Sequence, residues 1–249
     1  MRFINLIKNI NNWQIYILHK FGIQKRTHFT FQCKNNVRVE VPLRMLQTFK
    51  ESFLAEDYTK NLPDNLFDKA PVIIDFGANV GYFSLYMLMK YPAAKVFAYE
   101  PMPNNFELLK RNKAHNTELS FNIFNLAGYG NKTEIELLYD KSDTFTTSAS
   151  VFENKIGNDK VMVKTTTIEE LMQVNDLDKI DLIKLDCEGS EYSIVYNIPD
   201  HLFPHIKSFV LETHKGKKIN ETQAGMCDFL KNKGYKIVFD NSDMIWAWH

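Results

Sequence analysis

The sequence predicts an α/β fold in which helices cover both faces of a mostly parallel sheet of seven strands. From residue 72 onward, short runs of branched and aromatic residues alternate with helical patterns, as in sheets built from strand–helix–strand units. Two strand-like runs, residues 235–240 and Met244–Trp248, then follow each other around Asn241 and Ser242. Two strands in direct succession predict an antiparallel hairpin at one edge of the sheet.

The composition indicates one large domain with an N-terminal elaboration. The chain has 249 residues, and 45% of them are apolar, which is enough for such a core. We expect a cap over residues 1–62 and the main α/β domain over residues 63–249. Thirty basic residues balance 30 acidic ones, so the chain has no net basic field to neutralise the phosphates of a nucleic acid. We therefore expect a small-molecule partner and no nucleic acid.

The three cysteines indicate a reducing compartment. Cys33, Cys187 and Cys227 are widely spaced and form no C-x-x-C pair. This spacing predicts reduced thiols in a cytoplasmic protein, not a disulfide framework or a zinc site.

The N-terminal segment has the pattern of an amphipathic helix, followed by a hairpin over residues 28–33 and 37–41 and a helix over residues 43–60. Its longest unbroken apolar run, residues 15–18, is far shorter than the ~20 residues of a membrane-spanning helix. We expect no transmembrane segment. The apolar face would pack on the domain or across a homodimer, with peripheral membrane contact as the alternative. Its members are Phe3, Leu6, Ile7, Ile10, Trp13 and Ile17.

The elements of the main domain each have a local signal. Pro103 suits the first turn of a helix, and Gly234 suits the end of the helix over residues 223–233. Between these, Glu134–Tyr139 and residues 161–166 read as two strands around a polar loop. The buried strands are predicted over Val72–Phe76 and residues 95–100, 120–127, 180–186 and 208–213; the other helices start near residues 80 and 190 and span Ile168–Val174.

Residues 72–84, VIIDFGANVGYFS, predict a ligand-binding turn between a strand and a helix. Gly77 and Gly81 would let the backbone approach a ligand that any Cβ would block. The loop lacks the middle glycine of G-x-G-x-x-G, which admits a pyrophosphate. Asp75 would repel phosphates and suit a cation. S-adenosylmethionine carries a sulfonium, an ammonium and no phosphate, so it fits this turn better than the alternative, NAD.

The next strands add candidate contacts to the same ligand. Glu100 lies 23 residues after Gly77, at the end of an apolar strand. An acidic residue at about this distance can accept hydrogen bonds from both hydroxyls of a ribose. Asn125 and Ala127 end the following strand and could border an adenine ring, although a simple turn explains them equally well.

A second group of ionisable residues follows the predicted strand at 180–186. Lys184, Asp186, Glu188 and Glu191 lie within eight positions, and burying such a group is costly unless its members are paired or functional. Glu188 and Glu191 could instead stabilise the N-terminus of the next helix. Asp186 stands where a transferred methyl group would arrive.

The last buried strand presents Glu212 and then His214. A histidine beside a carboxylate at this edge is a reasonable general base for a hydroxyl. Alternatively, Asp186, Glu212 and His214 could bind Mg²⁺ or Mn²⁺, which would lower the pKa of the substrate hydroxyl. Lys215 begins a short basic run that is either a solvated loop or a contact to a substrate phosphate.

Strand–helix alternation that closes in a hairpin is the order of a class I methyltransferase, a Rossmann-like fold; a dinucleotide-binding fold would end on another crossover. Within this order the chain resembles the FkbM-type S-adenosylmethionine-dependent O-methyltransferases from about residue 72 to residue 213. The most particular motif is K-x-D-x-E-G-x-E, within IDLIKLDCEGSE. The other matching strings are VIIDFGANVGYFS, AYEPMPNNFELLKRN, FNLAGYG, TTTIEEL and VLETH.

The resemblance implies a role for each matching residue. For the donor, these are Asp75, Gly77, Ala78, Asn79 and Gly81 around the methionine part, Glu100 and Pro101 at the ribose, Asn125 and Ala127 near adenine, and Asp186. For the acceptor they are Glu188, Ser148, Ser150 and Lys215, and for catalysis His214, Asp186 and Glu212.

The resemblance also implies the substrate class, because members of this family methylate hydroxyls of small molecules. We expect a small polar acceptor, most of all a nucleotide-activated sugar in the synthesis of a bacterial capsule or surface polysaccharide. A polyketide, a phenol or a lipid-linked acceptor is the first alternative. A nucleic-acid methyltransferase and a non-catalytic module that keeps the donor pocket are the others.

Overall fold

A computed structural model describes residues 2–140 and 159–249 of the chain. Among these residues, the strands are β1 (His28–Gln32), β2 (Arg38–Pro42), β3 (Val72–Phe76), β4 (Lys95–Tyr99), β5 (Phe121–Phe124), β6 (Ala127–Gly128), β7 (Glu134–Tyr139), β8 (Asp159–Thr166), β9 (Leu182–Leu185), β10 (Ser208–Glu212), β11 (Lys236–Phe239) and β12 (Met244–Trp248). The α-helices are α1 (Arg2–Asn9), α2 (Gln14–Lys20), α3 (Leu46–Lys50), α4 (Tyr82–Lys90), α5 (Pro103–Ala114), α6 (Ile168–Val174), α7 (Glu191–Tyr196) and α8 (Gln223–Asn232).

The predicted central sheet is confirmed. It has seven strands in the order β11-β12-β10-β9-β3-β4-β5. β12 runs antiparallel to both β10 and β11, and the other neighbours of the sheet are parallel. The register places Asp75 of β3 opposite Lys184 of β9 and Ala98 of β4. The two ionisable residues therefore lie side by side at the centre of the sheet.

Helices cover both faces of this sheet, and the N-terminal cap packs over one of them. Residues 82–89 of α4 are all buried, because α4 lies between the sheet and the cap. The opposite face is covered by α6, α7 and α8, which share a second apolar core with the sheet. None of the helices in the described ranges is long and apolar enough to span a membrane.

The predicted N-terminal helix is broken into α1 and α2. Ile10 pairs with Cys33 as an isolated bridge and is fully buried. On α1 the buried side also carries Asn9, whose amide donates to the Phe53 carbonyl at 2.8 Å. Phe3 and Ile7 are each 53% exposed, so the predicted apolar face is only partly covered.

The predicted helix over residues 43–60 is also shorter than expected. After α3, residues Glu51–Ala55 form a turn of π-helix, and Glu56 adopts a left-handed conformation (φ 56°) that ends it. The following turns carry Tyr58 toward the carboxyl edge of the central sheet.

The predicted strand over residues 120–127 divides in two. β5 joins the central sheet, whereas β6 pairs with β8 in a small sheet of order β6-β8-β7. The division falls at Asn125, whose side-chain amide donates to the carbonyls of Glu100 (2.8 Å) and Pro101 (2.9 Å).

Candidate active site

A cleft lies at the carboxyl ends of β3, β4 and β9, beneath the cap. It contains about 810 Å³ of empty space, counting space open to solvent. Sequence-predicted residues that line it are Gly77, Ala78, Asn79, Glu100, Pro101, Ala127, Asp186 and Glu188. The cap contributes Thr48, Ser52 and Tyr58.

The glycines of the turn after β3 are required by contacts within the protein, and their approach to a ligand stays a prediction. Gly77 has φ +70°, and a Cβ there would overlap the backbone carbonyl of Asp186. Gly81 begins α4 with φ +88°, and a Cβ there would press on Leu109 and Phe121. Both glycines therefore make room for other parts of the protein. The turn itself is held by β4, since the backbone amides of Gly77 and Ala78 both donate to the Tyr99 carbonyl at 3.1 Å.

Glu100 connects the two loops that form the floor of the cleft. Its carboxylate accepts the backbone amides of Asn79 and Met102, each at 2.8 Å. The residue is only 4% exposed yet lines the cleft. Burial raises the pKa of Glu100 to about 7, although the two backbone hydrogen bonds oppose this rise. A modest change of surroundings can therefore decide whether this carboxyl is ionised at neutral pH.

Asp75 does not face the cleft, which corrects the expectation that its carboxylate meets a bound cation. It is fully buried and accepts a hydrogen bond from Ser84 Oγ at 2.6 Å. Its other oxygen lies 3.3 Å from Lys184 Nζ. Burial raises the pKa of Asp75, and the charge of Lys184 opposes that rise. The positive group that Asp75 accompanies is therefore part of the protein.

Lys184 connects Asp75 to the turn and to the cleft. Its ammonium donates to the Gly77 carbonyl at 2.9 Å and lies 3.7 Å from Asp186 Oδ2. The side chain is 3% exposed. These partners offset the free-energy cost of burying the lysine charge.

Asp186 is the predicted catalytic residue that lines the cleft. Its side chain is 24% exposed, and its Oδ2 accepts a hydrogen bond from the Tyr58 hydroxyl at 2.7 Å. The carboxylate is therefore held from two sides, by Lys184 in the sheet and by Tyr58 in the cap.

His214 lies beside the cleft among three carboxylates. Its Nδ1 is 3.1 Å from Glu191 Oε1, and its Nε2 is 3.5 Å from Glu188 Oε2. Burial lowers the pKa of His214, but the hydrogen bond and charge of Glu191, with Glu188 and Asp186, outweigh it and raise the pKa to about 9. The ring is thus positively charged at neutral pH, and Glu191 orients it.

Glu191 is the last residue of the K-x-D-x-E-G-x-E motif, and its side chain binds the backbone of that motif. It is fully buried and accepts the amides of Cys187 (2.8 Å) and Gly189 (2.9 Å). The alternative prediction, that an acidic residue stabilises the start of the next helix, describes Glu191 well, because it is the first residue of α7.

The predicted metal site does not form from Asp186, Glu212 and His214. Within residues 2–140 and 159–249, no group of three histidine, cysteine or acidic side chains is arranged to hold a metal ion. Each ring nitrogen of His214 faces a glutamate, and Asp186 is bound by Tyr58. Glu212 lies at the end of β10; burial and the charge of Asp186 raise its pKa to about 7.

A family model for the FkbM methyltransferase domain matches residues 75–237. The chain belongs to the FkbM methyltransferase family. This confirms the resemblance predicted from the sequence motifs and gives the protein its broad activity, methyl transfer.

Two fungal relatives match this FkbM methyltransferase over most of their length. Methyltransferase sdnD of Sordaria araneosa is 30% identical over 80% of this chain and 84% of its own length. Methyltransferase 1 of Beauveria bassiana is 28% identical, over 80% of this chain and 83% of its own. A crystal structure of methyltransferase FkbM from Methylobacillus flagellatus is similar in fold, with a TM-score of 0.51 and 15% identity. That match covers 83% of this chain and about half (54%) of the other.

The remaining predicted residues of the FkbM site lie apart from the cleft or outside the described ranges. Asn125 is exposed and ties together the backbone after β4 without lining the cleft. Lys215 is exposed beyond His214. Ser148 and Ser150 lie outside the residues that the structure describes.

Sequence reasoning missed Tyr58 altogether. It lies 128 residues before Asp186, so no local pattern connects the two. For Lys184 a signal was present: a lysine inside an apolar strand, in a parallel sheet whose next strand carries Asp75, predicts a buried ion pair.

Proposed function

We propose that this protein is an S-adenosylmethionine-dependent O-methyltransferase acting on a hydroxyl of a small polar acceptor. The observation that carries the proposal is the Glu100 carboxylate, which lies within the cleft, tied to the turn after β3. A carboxylate in this position can accept both hydroxyls of a ribose. The nucleoside part of the donor would then lie along β4 and β6, and its methionine part along the turn.

The residues present fit this donor. Asn79 lines the cleft, and its buried Oδ1 has no hydrogen-bond partner among the described residues. An amide oxygen of this kind suits a donor such as the ammonium of the methionine part. Among the described residues, the lining of the cleft includes no arginine and one lysine, Lys184, which already contacts Asp75 and the Gly77 carbonyl. This favours a donor without phosphate.

For catalysis we favour Asp186 over His214 as the group that receives the hydroxyl proton. S-adenosylmethionine supplies a methyl group: the acceptor oxygen attacks it, and the carbon–sulfur bond breaks with its electron pair remaining on sulfur. Asp186 lines the cleft and is held in place, so it can take the acceptor proton as the new oxygen–carbon bond forms. His214 is already protonated at neutral pH, because its pKa is raised to about 9.

A nucleotide-activated sugar of bacterial surface polysaccharide synthesis remains the proposed acceptor, with its sugar in the cleft and its phosphates outside the described lining. Thr48, Ser52 and Glu188, which line the cleft, can hydrogen-bond the hydroxyls of a sugar and so support this acceptor. The resemblance to enzymes that methylate hydroxyls supports oxygen as the methylated atom.

The test is a transfer assay with methyl-labelled S-adenosylmethionine and a panel of nucleotide sugars, phenols, polyketides and amines, with and without a chelator. We expect a labelled methyl ether on a sugar, identified by NMR, and at least a hundredfold slower transfer by Asp186→Asn. A product labelled on nitrogen or carbon would contradict the proposal, as would an Asp186→Asn variant of full activity.

A further inference from the structure

Tyr58 is the point at which the cap enters the cleft. Its hydroxyl donates to Asp186 Oδ2 at 2.7 Å, and the Lys184 ammonium lies 5.1 Å from the centre of its ring. The edge of the ring also packs on Phe83 of α4, with 5.3 Å between ring centres. One side chain of the cap therefore contacts the carboxylate, the lysine and the helix that surround the cleft.

The backbone of Tyr58 is fixed as well as its side chain. The indole nitrogen of Trp246, a fully buried residue of β12, donates to the Tyr58 carbonyl at 2.9 Å. Burial, followed by the charges of Asp186 and Glu212, raises the pKa of Tyr58 well above its usual value. The phenol therefore keeps its proton and serves only as a donor toward Asp186.

We propose that Tyr58 is a positioning residue for methyl transfer, which holds Oδ2 of Asp186 so that Oδ1 is presented to the acceptor hydroxyl. Among the described residues, the contacts of this carboxylate to Tyr58 and Lys184 are both made through Oδ2. A hydrogen bond that fixes one carboxylate oxygen also orients the other, so the carboxylate more often has the geometry that proton transfer requires. The inference rests on the proposed function, because it assigns Asp186 the acceptor proton.

The cap and the turn after β3 are therefore expected to have separate roles, the cap in the acceptor step and the turn in donor binding. Tyr58 donates to the Asp186 carboxylate of the acceptor step, whereas Glu100 binds the turn after β3. Removing the Tyr58 hydroxyl should slow methyl transfer without weakening donor binding.

The experiment compares Tyr58→Phe with wild type and with Tyr86→Phe. Phenylalanine keeps the ring against Phe83 and removes only the hydroxyl. Tyr86 is the matched control, because it is a buried tyrosine at the same boundary whose hydroxyl lies 3.4 Å from Thr59, outside the cleft lining. Calorimetry with S-adenosylhomocysteine measures donor-site affinity, and the acceptor giving the fastest wild-type rate in the panel is used for kcat.

For Tyr58→Phe we expect kcat to fall at least tenfold, with S-adenosylhomocysteine affinity within twofold of wild type. We also expect the KM of the acceptor to stay within threefold of wild type, because the lost hydroxyl orients the carboxylate and the rest of the lining is unchanged. Carboxyl ¹³C NMR at pH 7, with the Asp186 signal assigned from Asp186→Asn, should show a changed chemical shift for Asp186 without any acceptor, because its Oδ2 loses the hydrogen bond. Tyr86→Phe should change none of these.

Two results would overturn the inference alone: a Tyr58→Phe enzyme with wild-type kcat and an unchanged Asp186 signal, or a loss of kcat that parallels a loss of S-adenosylhomocysteine affinity. Wild-type protein that binds S-adenosylhomocysteine but methylates no hydroxyl would overturn the proposed function, and this inference with it.

Discussion

At the scale of single residues, the charged group beside the cleft is organised around Glu191. This buried carboxylate accepts two backbone amides and the His214 ring, so its charge is satisfied although it is fully buried. His214 in turn is protonated because Glu191 and Glu188 lie on either side of the ring. The pair therefore contributes to stability as long as the imidazole is charged.

The pH dependence of stability should report this pair. The folded-state pKa of His214 (about 9) lies above its unfolded value of 6.5, so its stabilisation is complete below pH 6.5 and lost as the pH rises through 9. From the size of this shift, the contribution is at most on the order of 3 kcal/mol. Urea unfolding at several pH values should show the wild-type advantage over His214→Gln shrinking across this window.

An exposed histidine provides the control for that experiment. His201 is 69% exposed and lies 4.0 Å from Glu169, so His201→Gln should change stability little at any pH. A wild-type advantage over His214→Gln that is constant from pH 6 to pH 10 would contradict the pairing.

The spacing from Gly77 predicted Glu100 as a ribose contact. The structure has this carboxylate lining the cleft and hydrogen-bonded to the turn, and the ribose contact stays a prediction. Asp75 was placed wrongly in the cleft, because a strand-end carboxylate looks the same in sequence whether it meets a ligand or a lysine of the adjacent strand. The partner, Lys184, lies 109 residues away and is set opposite Asp75 by sheet register.

At the scale of elements, the turn between β3 and α4 depends on its close approach to the backbone after β9. Gly77 has no Cβ, and the Asp186 carbonyl occupies the space that a Cβ would need. Gly77 therefore positions two residues of the cleft lining, Asn79 on one side of this contact and Asp186 on the other.

Gly77→Ala should accordingly be much more damaging than its backbone angle alone predicts. Gly22 is the matched control, with φ +72° and nothing within 4 Å of a Cβ, against φ +70° at Gly77. Gly22→Ala should lose about 1–2 kcal/mol from left-handed strain. Gly77→Ala should lose that amount plus the cost of displacing the Asp186 carbonyl, with weaker binding of S-adenosylhomocysteine. Equal losses in urea unfolding would contradict the close contact.

The regular elements of the main domain were predictable, because buried parallel strands and amphipathic helices have strong local signatures. The irregular ones were not. The π-helical turn at Glu51–Ala55 and the break between α1 and α2 are set by contacts across the chain, such as the Asn9 amide on the Phe53 carbonyl. These are the elements that carry Tyr58 to the cleft.

At the scale of the whole molecule, the sheet and the cap together form the cleft. Strand order brings Glu100 and Asp186 to one edge from the two sides of β3, and the cap closes this edge with Tyr58. The sheet could be read from the sequence, whereas the position of the cap over it could not.

The most direct test of this account is calorimetric titration of S-adenosylhomocysteine into wild type and Glu100→Gln between pH 6 and pH 8. The ionised carboxylate is the better acceptor for ribose hydroxyls, and the pKa of Glu100 is about 7. Wild-type affinity should therefore fall as the pH drops below 7, by at most about tenfold per unit. Glu100→Gln should bind weakly at every pH, while Glu107→Gln, an exposed change on α5, should match wild type. Wild-type protein that binds no S-adenosylhomocysteine, or a Glu100→Gln variant with wild-type affinity and pH dependence, would contradict it.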